Sequence, residues 1–258
     1  MKPRFAPNLR WLYTELAIPE RFAAARRSGF DAVEFSPHHE FSAQALKRLL
    51  DDNGLALTNG LTVLRWSEGE RGNAAVPGAE AAFRESAERS LEYAALCRMP
   101  YLHAPPGELP AGADKARCVA LYVENLAWLA ERAAPLGITI VFEPVCRARF
   151  PRFLLHTLAE GAEVIRATGR GDVKLVYDTF HVHMEEGAAT RRLEEFWPHI
   201  AYLQIGNPPG RHQPGAGELD LHYFIGEFAR LGYAGCIGLE YIPAGGTEAS
   251  LAWRVRYL

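Results

Sequence analysis

The chain is poor in the features that mark several protein classes. It has four cysteines in 258 residues, and Cys97, Cys118, Cys146 and Cys236 form no Cys-x-x-Cys pair. That usage fits reduced, mostly buried thiols of a cytosolic protein and not a disulfide framework. There is no basic excess. Lys and Arg number 28 against 31 Asp and Glu, for a formal net charge of -3 and a pI near 6.3. With no dense basic patch, nucleic acid is not expected as a partner, and the Arg26-Arg27 and Arg191-Arg192 pairs read as solvated helix faces. No N-terminal apolar stretch has the length of a signal sequence, and no run approaches the ~20 apolar residues of a membrane span. A soluble, cytoplasmic protein with no membrane partner is expected. No dinucleotide fingerprint follows the first predicted strand.

What is present is ordinary globular composition, 48% hydrophobic and 23% charged. Within it one pattern recurs. Ile138-Thr-Ile-Val-Phe-Glu-Pro144 is a short β-branched run that ends on Glu143 and is stopped by a proline. Lys174-Leu-Val-Tyr-Asp178, Ile200-Ala-Tyr-Leu-Gln204 and Cys236-Ile-Gly-Leu-Glu240 repeat it. Buried parallel strands read as near-continuous apolar runs. Here each of four such runs carries one oxygen-bearing side chain near its C-terminal end.

Strands and helices alternate along the whole chain. Strands are expected at Arg4–Leu9, Ala32–Ser36, Leu55–Thr58, Tyr101–Ala104, Ile138–Glu143, Lys174–Asp178, Ile200–Gln204 and Cys236–Glu240. Helices are expected at about 19–28, from Ser42 to Leu50, and at about 79–97, 114–134, 157–168, 190–197 and 220–231, with Thr247 capping the last. Loops are expected over Leu61–Gly78, with Trp66 and Glu68, over Arg147–Phe153, and over Gly206–Gly217; Thr179–Met184 is a polar segment. Eight units of roughly 32 residues each match the size of a βα unit and imply a (β/α)₈ TIM barrel, an α/β single domain over residues 1–258. Barrel active sites lie at the C-terminal strand ends, where the four polar residues fall.

Hard divalent cations prefer several oxygen ligands, so Glu143, Asp178, Gln204 and Glu240 form a candidate shell for Mg²⁺ or Mn²⁺ rather than zinc. A cation chelated by a carbonyl and a neighbouring hydroxyl acidifies the C–H between them. Glu143 and Glu240, from opposite sides of the barrel mouth, are then the candidate catalytic pair that takes a proton from one carbon and delivers it to the next. His181, three residues after Asp178, and Arg211 are candidate substrate-binding residues, the latter as a bidentate clamp for a carboxylate. His183 and His212 are weaker candidates. Asn8, Glu34 and Asn59 sit at other strand tips, where they either support the site or bond backbone, and the backbone role is the one expected. Cys146 lacks an adjacent base and is not read as a nucleophile.

Several segments, in order, resemble the hydroxypyruvate isomerase family: Phe5-Ala-Pro-Asn-Leu9, Gly29-Phe-Asp-Ala-Val-Glu-Phe35, Gly69-Glu-Arg-Gly72, Val123-Glu-Asn-Leu126, Phe142-Glu-Pro144, Tyr177-Asp178-x-x-His181, Leu203-Gln-Ile205, Pro214-Gly-x-Gly-Glu218 and Leu239-Glu-Tyr241. The resemblance implies a xylose isomerase-like TIM barrel with a divalent metal on Glu143, Asp178, Gln204 and Glu240, the two glutamates as acid and base. It also implies conversion of hydroxypyruvate to tartronate semialdehyde, with a small hydroxy-oxo acid or sugar as the ligand. Related members isomerise 2-oxo-tetronates. The loops depart from the family pattern at Cys146, Arg147, Arg149 and His183, and an added arginine favours a longer acid or a phosphorylated sugar. Three other readings compete. A sugar 3-epimerase would carry His at position 204. An apurinic endonuclease-like nuclease needs many histidine ligands and a basic surface. A non-catalytic barrel gives no reason to keep the shell. The oligomeric state is left open, a homo-oligomer included.

Overall fold

A computed structural model describes residues 2–36, 41–62 and 69–258; Pro37, Trp66 and Glu68, singled out in the sequence, lie outside the described residues. The strands are β1 (Arg4–Pro7), β2 (Ala32–Val33), β3 (Ala56–Leu57), β4 (Asn59–Leu61), β5 (Tyr101–His103), β6 (Thr139–Phe142), β7 (Val173–Asp178), β8 (Ile200–Ile205) and β9 (Cys236–Leu239). Every pairing is parallel. One curled sheet runs β1-β9-β8-β7-β6-β5-β4, and β2 pairs with β3. The two pieces are one ring. β3 and β4 are halves of a single barrel strand parted at Thr58, whose hydroxyl donates to the Val33 carbonyl at 3.1 Å. β2 meets β1 through a parallel bridge between Asn8 and Glu34, where the Glu34 N–H donates to the Pro7 carbonyl at 3.0 Å. The eight strand positions expected from the sequence therefore close into a barrel.

Around the ring lie α1 (Ile18–Arg27), α2 (Ala43–Asp52), α3 (Glu80–Leu96), α4 (Lys115–Ala133), α5 (Leu158–Thr168), α6 (Thr179–Glu186), α7 (Ala189–Phe196), α8 (Leu221–Arg230) and α9 (Thr247–Ser250). Local chemistry sets their starts. Ser42, Asp114, Thr157 and Asp220 each accept a backbone N–H of the first turn, and Thr157 with Glu160 forms a reciprocal capping box. In α4, Cys118, Tyr122, Leu126, Leu129 and Ala133 recur at helical spacing and are buried, and Tyr122 packs edge-to-face on Phe142 of β6. Among the described residues, no helix is long and apolar enough to cross a membrane.

Two expectations need correction. Thr179–Met184 is helical, because Asp178 caps α6 directly with its carboxylate on the Phe180 N–H at 2.8 Å. Thr247 is the first residue of α9 rather than its cap. Its hydroxyl accepts the Tyr13 N–H at 2.7 Å and donates to Glu15, tying the C-terminal segment to the loop after β1.

Strand parity positions the site. Side chains alternate across a strand, so residues two apart share a face. Phe142, Tyr177 and Leu203 belong to the core beneath the helices, whereas Val141, Val176 and Tyr202 form a separate cluster inside the barrel. Glu143, Asp178 and Gln204 stand two residues beyond those three, as Glu240 stands two beyond Gly238. The barrel interior is apolar below and oxygen-rich above.

At the rim, Gly72 bridges Pro106 with φ +116, and a Cβ there would lie 2.4 Å from the Pro105 carbonyl oxygen and 2.7 Å from the Gly107 nitrogen. Both obstacles are backbone. Gly72→Ala is expected to cost about 2 kcal/mol or more of folding stability, read as a lowered urea midpoint with an unchanged slope.

Candidate functional site

The four strand-end residues converge on one cavity of about 530 Å³, whose lining includes Glu143, Gln204 and Glu240. Asp178 lies behind it and is buried. Asp178 and Gln204 are register partners across β7 and β8, and Gln204 is the partner of Gly238 across β8 and β9. Burial pushes the Glu143 carboxyl well above its usual range, with Asp178 and Glu240 adding to the effect. Burial also raises Asp178, opposed by Arg211.

Arg211 is the cation of this cluster. It is buried, and its Nη2 donates to Asp178 Oδ2 at 2.7 Å and to Glu240 Oε1 at 2.8 Å, while Nε donates to the Glu240 carbonyl at 3.1 Å. Trp11 and Phe180 flank its plane at 5.1 and 5.2 Å. Two of its three nitrogens are thus committed to protein oxygens. Nη1, with its two N–H groups, remains to meet a ligand, and the two-nitrogen bidentate fork expected from the sequence is not available.

Glu34 is a site residue that sequence reasoning set aside. Its carboxylate is buried and accepts from Asn8 Nδ2 at 2.9 Å and from Gln204 Nε2 at 3.2 and 3.1 Å. Burial, then Glu240, pushes its pKa up. It reaches the site through the space left by Gly238, where a Cβ would sit 2.0 Å from Glu34 Oε1 and 2.8 Å from Gln204 Cγ. The sequence signal was a carboxylate in the run Ala32–Ser36, the same pattern as the other four strands. Asn8 does both things considered for it: Oδ1 accepts the Arg10 N–H, and Nδ2 serves Glu34. Asn59 lines the cavity, and its buried Oδ1 has no partner among the described residues.

His181 is buried beside the acids, with Nε2 3.9 Å from Glu143 Oε1 and 4.0 Å from Asp178 Oδ2. Burial, with Arg211 and Arg149 nearby, pushes its pKa well down, so the ring is neutral. The Cys146 N–H points at Nδ1 from 3.3 Å. A backbone N–H only donates, so Nδ1 accepts and the ring proton sits on Nε2. Nε2 is then a hydrogen-bond donor facing the acids and the cavity. Cys146 Sγ lies 3.3 Å from the same Nδ1, and burial raises its thiol pKa, against a nucleophilic role. His183 pairs with Glu218 at 2.8 Å and His212 with the Ile242 carbonyl at 2.8 Å; neither lines the cavity.

The donor set suits a cation. Among the described residues, Glu143 Oε1 and Gln204 Oε1 are buried with no hydrogen-bond partner. Buried oxygens without donors are uncommon in folded proteins. Gln204 holds its amide nitrogen against Glu34 and Glu240, so its oxygen is the free end. Glu143, Asp178 and His181 each bring a ligand-type atom within 4.8 Å of the others. Of these, the two carboxylates are hard-cation ligands, whereas the protonated Nε2 of His181 is not.

Comparison with known proteins agrees with the fold. Residues 22–257 match the family described as xylose isomerase-like TIM barrel. A 2-oxo-tetronate isomerase of Cupriavidus necator is 42% identical over 258 residues, covering 99% of each chain. Hydroxypyruvate isomerase of Escherichia coli is 32% identical over 255 residues, covering 98% of this chain and 99% of its own. A crystal structure described as AP endonuclease, family 2, from Brucella melitensis superposes with a TM-score of 0.95 at 34% identity, covering 99% of each chain. The chain belongs to the xylose isomerase-like TIM barrel family. By its kinship with the full-length relatives it is an isomerase.

The buried acids depend on Arg211. Arg211→Met leaves Asp178 and Glu240 without their cation and is expected to cost about 3–5 kcal/mol of stability, measured by urea unfolding in the presence of a chelator.

Proposed function

We propose that this isomerase interconverts a short hydroxy-oxo acid with its aldehyde or ketone isomer by moving a proton between adjacent carbons. The observation that carries this reading is the full-length likeness to two isomerases whose named substrates are three- and four-carbon acids of that type. The cavity supports it. Glu143 and Glu240 line the same space, and Glu143 has an unpartnered oxygen and a raised pKa suited to proton exchange.

In this reading one glutamate removes the proton from the hydroxyl-bearing carbon, and the other delivers a proton to the neighbouring carbonyl carbon. The hydroxyl proton passes to the former carbonyl oxygen, so the carbonyl and hydroxyl exchange places and no atom is gained or lost. His181 donates its Nε2 proton to a substrate oxygen, and Arg211 offers Nη1. Glu143, Asp178, Gln204 and Glu240 would hold a divalent cation, Mg²⁺ or Mn²⁺, whose contribution is to stabilise the negative charge that develops on the substrate oxygens. Hydroxypyruvate to tartronate semialdehyde is the shortest conversion of this kind. A four-carbon 2-oxo-tetronate is the second reading, favoured by the 42% identical relative and by a cavity of about 530 Å³, roomy for three carbons. The nuclease description of the 34% identical structure finds less support in this chain: among the described residues, the acid cluster includes a single histidine, His181.

Glu143→Gln and Glu240→Gln are each expected to lower kcat about 10²–10⁴-fold with a smaller change in KM, measured on hydroxypyruvate and on a 2-oxo-tetronate. Equal turnover by both variants and the parent would contradict the assignment. Chelation should abolish turnover, and Mn²⁺ or Mg²⁺ should restore it. Bound Mn²⁺ at 100 times its dissociation constant should also add about 2.7 kcal/mol of stability, a gain that Asp178→Asn should remove.

A further inference from the structure

We propose that Arg149, on the loop after β6, grips the carboxylate of the substrate. This rests on the acid-isomerase reading and names the group that makes the site select an acid.

A carboxylate entering this cavity meets an excess of negative charge. Glu34, Glu143 and Glu240 line it, Asp178 lies behind, and the buried guanidinium of Arg211 is already shared between Asp178 and Glu240. An acid substrate therefore needs a second cation placed away from these carboxylates. Among the described residues, five arginines line the cavity: Arg10, Arg21, Arg71, Arg149 and Arg211. Four are engaged. Arg211 has one nitrogen left. Arg10 donates to the Ser36 carbonyl, Arg21 to the Leu9 and Leu16 carbonyls, and Arg71 to the Glu70 carbonyl. Arg147, the other basic residue flagged on this loop, is paired with Glu185 and does not line the cavity.

Arg149 differs from all of these. Its guanidinium has no hydrogen-bond acceptor or acidic partner among the described residues. It is held instead by rings, 5.8 Å from the Trp11 centroid and 5.5 Å from the Phe150 centroid. Stacking on aromatic faces orients a guanidinium while leaving its N–H edge available in plane. That edge suits the two oxygens of a carboxylate. Trp11 ties the two cations together, because the same ring also flanks Arg211 at 5.1 Å. Arg149 also lies near enough to disfavour the protonated form of His181. The carboxylate is thus gripped at the Trp11–Phe150 side, and the reacting carbons point toward Glu143 and Glu240.

The test is steady-state kinetics of the parent, Arg149→Met, Arg149→Lys and Arg147→Met on hydroxypyruvate and a 2-oxo-tetronate, with Mn²⁺ affinity measured alongside by calorimetry. Arg149→Met should raise KM about 30-fold, with the loss falling on KM more than kcat, as expected for a charge-assisted bidentate contact. Arg149→Lys should fall between it and the parent, because a point charge keeps attraction but not the fork. Arg147→Met should match the parent, and Mn²⁺ affinity should be the same in all four. If the parent turns over an acid and Arg149→Met or Arg149→Lys leaves its KM unchanged, Arg149 is not the anchor, while the isomerase reading stands. If the parent turns over neither acid, that reading fails and the inference falls with it. Should Arg149→Met not fold by circular dichroism, Arg149→Lys decides.

Discussion

One guanidinium set among buried carboxylates is the constraint on which the site depends. Glu34, Glu143, Asp178 and Glu240 come from four different strand ends, and Arg211 contacts two of them directly. Bringing four acids out of water against a single fixed cation is unfavourable, and the raised pKa values of Glu34, Glu143 and Asp178 express that cost. A site kept at this expense points to chemistry, since apolar side chains would pack the same positions more stably. Among the described residues, the unpartnered buried oxygens of Glu143 and Gln204 mark where further positive charge belongs.

The barrel makes this arrangement possible by parity. Val141, Val176 and Tyr202 form an apolar floor, and the next inward positions on the same strands carry Glu143, Asp178 and Gln204. Gly238 leaves a gap in that floor, and Glu34 fills it from the end of β2, one strand beyond β1. Gln204 is then clamped through its amide nitrogen by Glu34 and Glu240, which aims its oxygen at the remaining acids. An amide suits this task because one end can be anchored while the other stays free to ligate.

Much of this was legible in the chain. Apolar runs ending in Glu, Asp, Gln and Glu announce both a parallel barrel and its oxygen-bearing rim, because strand period and strand direction are local properties. Other features depend on which elements meet. Glu34 looked like a backbone hydrogen bonder because its partners, Asn8 and Gln204, stand 26 and 170 residues away. Arg211 was recognised as a site residue, but its burial against Asp178 and Glu240 follows from how the Gly/Pro-rich loop folds back over β7 and β9. Thr58, at the end of a predicted strand, is where pairing passes from β2 to β5, and its hydroxyl bond to Val33 is one that no periodicity reveals. Thr247 looked like a cap, yet its hydroxyl is taken by Tyr13, 234 residues earlier.

The central claim is that a proton moves from one carbon to its neighbour within a short hydroxy-oxo acid. Proton NMR of hydroxypyruvate and of a 2-oxo-tetronate, each turned over in D₂O with Mn²⁺ present, addresses it directly. The account predicts that the carbonyl shifts to the adjacent carbon and that hydrogen or deuterium appears on the former carbonyl carbon. Return of hydrogen to the carbon it left, as in an epimerase, or no conversion of either acid, would contradict it.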